Sequence, residues 1–481
     1  MGKFDYKGLG LRCGLEIHQQ LNTKKLFCEC LSVLRSDEPD FTVKRKLHAV
    51  AGESGEIDIA ARYQASLEKN FIYQGYDDTT CLVELDEAPP REINRDALKI
   101  AVQVALLLNC KIIPITQIMR KTVIDGSNTS GFQRTVLIAR DGYVETAYGK
   151  IGIESVCLEE DSARIISGKN NEVTYRLDRL GIPLIEIATS PNIFNPDAAK
   201  EVALHIGNVL RSCDVRRGIG TIRQDVNMSL MKFGGTRIEI KGVQEPALII
   251  KTINSEIGRE SKEKKKIEPQ VRKALESGET EFLRPMPGAS RMYPETDLPL
   301  LRIKKEFIDE VKRSLPKLRS EIAEELKHYG LHEELIKLIL KEDKIDEFKE
   351  LAGIVKNPEI VAKALVLYPR ELASKNNLSE EKINELLNKD ILASLLEAVA
   401  EKKISEGQVK EAMEKIAGGK ELEEALKFEE HDFDKIEEKI INLIREKPGL
   451  SPNAYMGLLM KELKGKIDAK SLMEVINRHL K

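Results

Sequence analysis

In three short stretches of this chain, polar and apolar residues alternate with a period of two. That spacing calls for a sheet with one dry and one wet face. In Gly14-Leu15-Glu16-Ile17-His18, the residues Leu15 and Ile17 share one side of a strand, and Glu16, His18 and Gln20 share the other. Further on, Arg223, Asp225, Asn227 and Ser229 alternate with Ile222, Gln224, Val226 and Met228, and a following strand sets Arg237, Glu239 and Lys241 against Ile238 and Ile240. In the segment Ile153 to Asp161, the pleat puts Glu159 and Asp161 on one face and Glu160 on the other, unless a bulge or strand end intervenes. Each wet face has two readings. It is either a solvated surface laced with salt bridges, or a set of acids and bases gathered for a metal ion or a phosphate. Crowded carboxylates repel, so buried ones need cations or donors nearby. Magnesium is the natural oxygen-binding ion for phosphate chemistry, though these residues alone do not identify it.

The chain is too long for one ordinary core and calls for two to four domains, since it has 481 residues. With 41% hydrophobic and 32% charged residues it reads as a folded cytoplasmic protein. The net charge of -3 neither favours nor excludes nucleic acid, because a basic patch can hide inside a balanced total. No leader peptide and no membrane span are expected; the apolar run Ile100 to Leu108 is too short to cross a bilayer and reads as a helix packed on a sheet. The seven cysteines, an odd number that all precede residue 214, argue for reduced thiols rather than a disulfide framework.

Composition shifts near residue 300, with 23 of the 31 glycines before it. The expected organisation is multidomain α+β: a mixed β/α body over residues 1–300 with a short charged connection near 258–280, a helical domain over 301–410, and a helical tail over 411–481. From Lys461 to Lys481 the tail carries six basic and three acidic residues, which suits either a phosphate backbone or a solvated helix face. No phosphate-loop or dinucleotide fingerprint occurs, and the polar loop Asp125 to Gln133 does not supply one. Cys28 and Cys30, with Cys81 as a distant third ligand and Cys13 as a conceivable fourth, outline a structural zinc site or a set of buried small residues. The six histidines other than His18 are scattered and are assigned no chemistry.

Several ordered motifs together resemble the tRNA-binding, catalytic subunits of glutamyl-tRNA(Gln) amidotransferases, and the archaeal E type more closely than the bacterial B type. They include Gly14 to His18, Lys25-Leu26-Phe27-Cys28-Glu29-Cys30, Asp125 to Phe132, Leu158-Glu159-Glu160-Asp161, Arg179 to Ile187, Arg223-Gln224-Asp225-Val226-Asn227, and Arg284-Pro285-Met286-Pro287-Gly288 through Asp297. The resemblance implies a cradle-shaped catalytic domain, then an all-helical domain and a small helical tail. It implies conversion of tRNA-bound glutamate to glutamine, by ATP-dependent phosphorylation of the side chain followed by amidation.

On the matched motifs, it assigns Glu16, His18, Glu159, Glu160, Asp225 and Asn227 to catalysis. Glu16, His18, Glu159, Glu160 and Glu239 would hold Mg2+, and Arg223 and Lys241 would meet phosphate or substrate carboxylate. Zn2+ at Cys28, Cys30 and Cys81 departs from the four-cysteine pattern, because Cys81 lacks a paired cysteine. The implied partners are Glu-tRNA(Gln), bound through the helical domain and a tail segment at Tyr455 to Met460, and an asparaginase-like D subunit that supplies ammonia in a heterotetramer of two D and two E chains. No membrane is involved. Ser127, Asn128, Thr129 and Ser130 are expected beside the ammonia route. Members of the E type usually carry an additional domain ahead of the Arg-Pro-Met-Pro-Gly motif, which this chain bypasses near 258–280. The alternatives are a noncatalytic tRNA-binding scaffold and an Asp-tRNA(Asn) amidotransferase subunit.

Overall fold

A computed structural model describes residues 4–480 apart from 50, 52–54, 170, 264–266, 287, 289–290, 429–432 and 464–468. The chain divides into two compact units, Met1–Leu318 and Arg319–Lys481.

The first unit is built on a sheet of eleven strands. Its central order is Ile238–Lys241, Ile222–Leu230, Leu11–Gln20, Pro183–Thr189, Gly149–Glu160, Phe132–Thr146 and Ile118–Thr122. These neighbours are all antiparallel. Three helices cover one face. Arg95–Leu107 is capped by Asn94, whose side chain accepts from the Asp96 and Ala97 amides. Pro196–Ser212 starts with Asn195 as its cap and proline in the first turn, where a missing N–H costs nothing. Pro246–Lys262 also starts on proline.

Their apolar stripes, including Ile100, Val104, Val202, Ile206, Ile249 and Ile253, close over Leu15, Ile17, Ile187, Val226 and Ile240 in one continuous core. The run at Ile100 is thus a helix on a sheet, as its length and composition suggested. Since this face is dry, the pleat sends every alternate residue of the same strands to the opposite face.

A four-stranded sheet, in the order Phe41–Arg45, Asn70–Gly75, Glu172–Arg176, Arg164–Lys169, has its own small core around Phe71, Tyr73 and Tyr175. The loop from Asp125 to Gly131 is tied to it: Tyr175 donates to the Asp125 carbonyl at 2.8 Å and Tyr73 to the Gly126 carbonyl at 2.9 Å.

Residues 258–280 hold more than a connection. The helix runs to Lys262, and Gln270–Ala274 and Thr280–Pro285 add two strands to the main sheet, the first of them parallel to Ile238–Lys241. Charge hid this strand in the sequence. Arg272 is buried because Glu256, fully buried on the helix, lies 3.6 Å away, and the Thr280 hydroxyl donates to that same carboxylate at 2.6 Å.

The second unit is helical. One core joins Leu326, Ile339, Phe348, Leu365, Leu395, Val409 and Met413 and extends to Ala425. A separate small core joins Ile440, Tyr455, Leu459, Leu472 and Ile476. Tyr455 and Leu459, in the segment matched to the tRNA-binding tail, therefore point inward. Of the charged stretches noted above, residues 464–468 and 264–266 lie outside the described residues. Among the described residues, no helix is long and apolar enough to cross a membrane.

Candidate active site

The wet face of the main sheet floors a cavity of about 600 Å³, within the usual range for small-molecule sites. Register decides which side chains meet there. Glu16 stands opposite Asp225, and His18 stands opposite Arg223 on one neighbouring strand and opposite Glu186 on the other. Asn227 stands opposite Glu239. Directly paired residues on one face are close enough to interact through their side chains.

The floor carries two groups of potential ligands. His18, Glu159 and Glu186 form one, and Glu16, Asp225 and Glu239 the other; within each, one donor atom per residue lies within 4.8 Å of the others. An ammonium sits against each. Lys121 Nζ is 2.5 Å from Glu159 and 3.5 Å from Glu186, and Lys241 Nζ is 3.0 Å from Asp225 and 2.9 Å from Glu239. Asn227 donates to Glu16 at 2.9 Å, and Arg237 donates to the Asn227 carbonyl oxygen at 3.0 Å. The positive φ of Gly242, +81°, lets the chain turn so that its N–H donates to Asp225 at 2.9 Å.

Proton affinities follow from this crowding. Burial pushes the Glu16 carboxyl up, and the charges of Glu186 and Glu239 push the same way. Burial disfavours the charged His18 ring, but Glu186, 3.1 Å from Nε2, and the charges of Glu159 and Asp225 outweigh it, so His18 is held above the ordinary histidine range. Burial would raise Glu186, yet Lys121 and His18 hold it well below the usual carboxylate range.

Glu16, His18, Glu159, Arg223, Asp225, Glu239 and Lys241 all line this cavity, and Asn227 reaches it through Glu16. Glu160 does not: it faces away, accepting from the Arg134 amide at 3.1 Å and lying 3.4 Å from that guanidinium. Burial pushes its carboxyl up while Arg134 pulls it down. Arg223 is committed to Asp161 at 2.7 Å, and Lys241 to two acids. Sequence reasoning passed over Glu186, Lys121, Arg284 and Arg291, which also line the cavity. Glu186 carried a signal as a lone carboxylate in the apolar strand Leu184-Ile185-Glu186-Ile187-Ala188, and Arg284 and Arg291 stood in the matched motif Arg284 to Asp297 without an assigned role. The loop residues Ser127 to Ser130 are not in its lining.

Cys28, Cys30 and Cys81 do come together, and Glu84 completes the group. The Cys28 thiol donates to Glu84 at 2.8 Å, and Lys25 lies 3.8 Å from the same carboxylate. Cys13 takes no part, because its strand position buries it in the main core. Burial and the charge of Glu84 push the Cys81 thiol up to about 11. Sequence reasoning passed over Glu84, which follows Cys81 at the x-x spacing of a chelating turn.

Residues 11–309 match the family model of the GatB/GatE catalytic domain. The E-type subunit of the glutamyl-tRNA(Gln) amidotransferase of Methanocaldococcus jannaschii is 36% identical, covering 100% of both chains. Its counterpart in Methanococcus maripaludis strain S2 is 34% identical over 99% of each chain, and that of Methanosarcina acetivorans 33% over 100% of this chain and 99% of the relative. The first alignment runs over 634 positions against 481 residues here, so at least 153 positions of it fall opposite gaps in this chain. With residues 11–309 matched to that domain and its whole length aligned to these relatives, the chain belongs to the GatB/GatE family, as an archaeal E-type subunit of glutamyl-tRNA(Gln) amidotransferase.

Proposed function

We propose that the cavity converts glutamate esterified to tRNA(Gln) into glutamine, in two steps on one acidic floor. The γ-carboxylate oxygen attacks the terminal phosphorus of ATP, and the P–O bond to ADP breaks. Ammonia nitrogen then attacks the acyl carbon, the C–O bond to phosphate breaks, and the nitrogen gives up a proton. Activation is needed because an unmodified carboxylate would have to expel oxide or hydroxide. The observation that carries this reading is the pair of ligand groups, His18/Glu159/Glu186 and Glu16/Asp225/Glu239, each with one lysine ammonium against it.

Each group suits a hard divalent cation, since the donors are mainly carboxylate oxygens and a positive charge is held at each. These six residues would hold Mg2+, which when bound neutralises charge on the phosphates of ATP. The chain's own part is positional. Lys121 and Lys241 hold the acids in pairs, Glu186 orients the His18 ring, and Asn227 fixes Glu16. Asp161 anchors Arg223 at the cavity edge. Glu160, turned toward Arg134, serves the floor by fixing the strand end next to Glu159.

Cys28, Cys30, Cys81 and Glu84 fit a tetrahedral Zn2+, which accepts thiolate and carboxylate donors alike. Such an ion would staple the 28–30 loop to the 81–84 turn, using none of the acids on the floor. The helical unit would carry the tRNA, and an asparaginase-like D subunit would supply ammonia. We place the residues that longer relatives add at or near the 258–280 segment, ahead of Arg284.

The test is conversion of glutamyl-tRNA(Gln) with ATP, Mg2+ and excess ammonium by the chain alone and with the D partner. ATP-dependent glutaminyl-tRNA(Gln) is the expected product. Binding of tRNA with no amide under either condition would make the chain a scaffold, and preferential amidation of aspartyl-tRNA(Asn) would reassign the substrate.

A further inference from the structure

Six lysine and arginine side chains line the cavity, and four of them are committed. Lys121, Arg223, Arg237 and Lys241 each lie within 3.4 Å of a carboxylate. Arg284 and Arg291 differ. Among the described residues, the Arg284 guanidinium has no hydrogen bond or ion pair, and Arg291 uses only its Nε–H, donated to the Thr122 carbonyl at 3.1 Å. Both are half-buried, and both also line a smaller cavity of about 60 Å³ beside the main one.

Two guanidinium groups at the same wall, neither with a counter-ion, are costly in the protein alone. Burial and the neighbouring charge of Arg284 depress the proton affinity of Arg291, while Glu159 of one acidic group, Asp58 behind the wall and Glu239 of the other group act on it in the opposite sense. Arg291 therefore stands where it feels both ligand groups at once. The wall is held in place from behind: the Gly288 amide donates at 2.8 Å to Asp58, whose other oxygen caps the helix Ile59–Ala65 through the Ala61 amide.

We propose that Arg284 and Arg291 form a phosphoryl subsite, a pair of planar forks facing the acidic floor that takes the terminal phosphoryl group of ATP and keeps hold of it in the acyl phosphate and in released phosphate. A guanidinium fork matches two phosphate oxygens at once, which an ammonium does not. This subsite rests on the amidation reading for the identity of its ligand. It shifts the phosphate-binding role from Arg223 and Lys241, whose charges are engaged by acids, to two residues that have theirs free.

The experiment uses the full chain and two probes, inorganic phosphate and the non-hydrolysable γ-imido analogue of ATP, each with Mg2+. Arg284→Gln, Arg291→Gln and the double variant are compared with wild type, and tRNA(Gln) affinity is measured on the same samples. Each single change should weaken both probes by ~10-fold to 100-fold, as for loss of a charge-assisted hydrogen bond, with tRNA affinity unchanged. Arg284→Lys should recover only part of the loss. Because Arg291 also holds the Thr122 carbonyl, Arg284→Gln decides the matter if Arg291→Gln proves unstable.

Phosphate and analogue binding unaltered in Arg284→Gln overturns the subsite. Lost tRNA affinity with phosphate binding intact also overturns it and makes the pair a contact for the tRNA backbone. Arginine-dependent phosphate binding by a chain that forms no glutaminyl-tRNA would uphold the subsite and sink the amidation reading.

Discussion

Lys121 and Lys241 do for the acidic floor what a bound cation does elsewhere: each draws two carboxylates together that would otherwise repel. A divalent ion entering either group must displace the ammonium or share its acids, and at the group that holds His18 it must find that ring neutral. Since His18 and Glu16 both bind protons more tightly than usual, acid competes with metal at both groups. The sign is then fixed. Mn2+ affinity should rise from pH 6 to pH 8, with protons released on binding, and a titration followed by electron paramagnetic resonance at the two pH values checks this. Glu186→Gln should lose one of two Mn2+ ions and lower kcat/KM for amidation at least ~100-fold, about 2.7 kcal/mol, with little change in tRNA affinity; unchanged turnover would remove Glu186 from the site. For the thiol group, elemental analysis should find one zinc per chain in wild type and none in Cys81→Ala. Alternation made Glu16, His18, Glu159, Asp225 and Glu239 readable as a shared face before any fold was known. Lys121 was not readable, and Arg284 and Arg291, though inside a matched motif, gave no sign of a place at the cavity. They come from strands and a loop brought alongside by long-range packing, and nothing in their neighbours' spacing marks them.

At the scale of the element, the helix Pro246–Lys262 carries an unusual burden. Glu256 and Glu260, one turn apart, are both buried, and Glu260 Oε1 has no hydrogen-bond partner among the described residues. Burial and the charge of Glu256 push Glu260 up to about 7. A carboxyl raised in the folded state binds more protons there than in the unfolded chain. Its stabilisation is therefore present below the unfolded value near 4.5 and fades as pH climbs through 7. Glu260→Gln should match wild type at pH 5 and exceed it at pH 8 by on the order of 1–2 kcal/mol, allowing for partial solvent screening at the helix end. Parallel thermal melts at the two pH values read this directly, and equal curves at pH 8 would refute it. This element also shows where pattern reading fails. Sequence reading named no helix here, and the strand Gln270–Ala274 looked like a charged linker, because its Arg272 is neutralised by a residue 16 positions earlier.

At the scale of the molecule, the sheet core ends with the first unit, and the helical unit has cores of its own. Residues 1–318 produced alone should therefore fold and bind Mn2+ as the full chain does, while tRNA(Gln) affinity falls by at least ~10-fold; full tRNA affinity in the fragment would move recognition onto the sheet-bearing unit. The change in composition near residue 300 exposed this division, because glycine turns and cysteines belong to the sheet and charged amphipathic repeats to the helices. Composition could not show, however, that Tyr455 and Leu459 are core residues of the tail, since an inward aromatic and an RNA-stacking aromatic read alike.

The separation of the main sheet into a dry and a wet face should leave its mark on inheritance. Along residues 15–18, 184–187 and 223–228, substitutions on the dry face should lower the amount of protein, and those on the wet face should leave the amount intact and abolish growth that depends on it. Scored position by position in a mutant library, abundance and fitness would fall out of step every other codon, so that the pleat of the sheet could be read from surviving colonies.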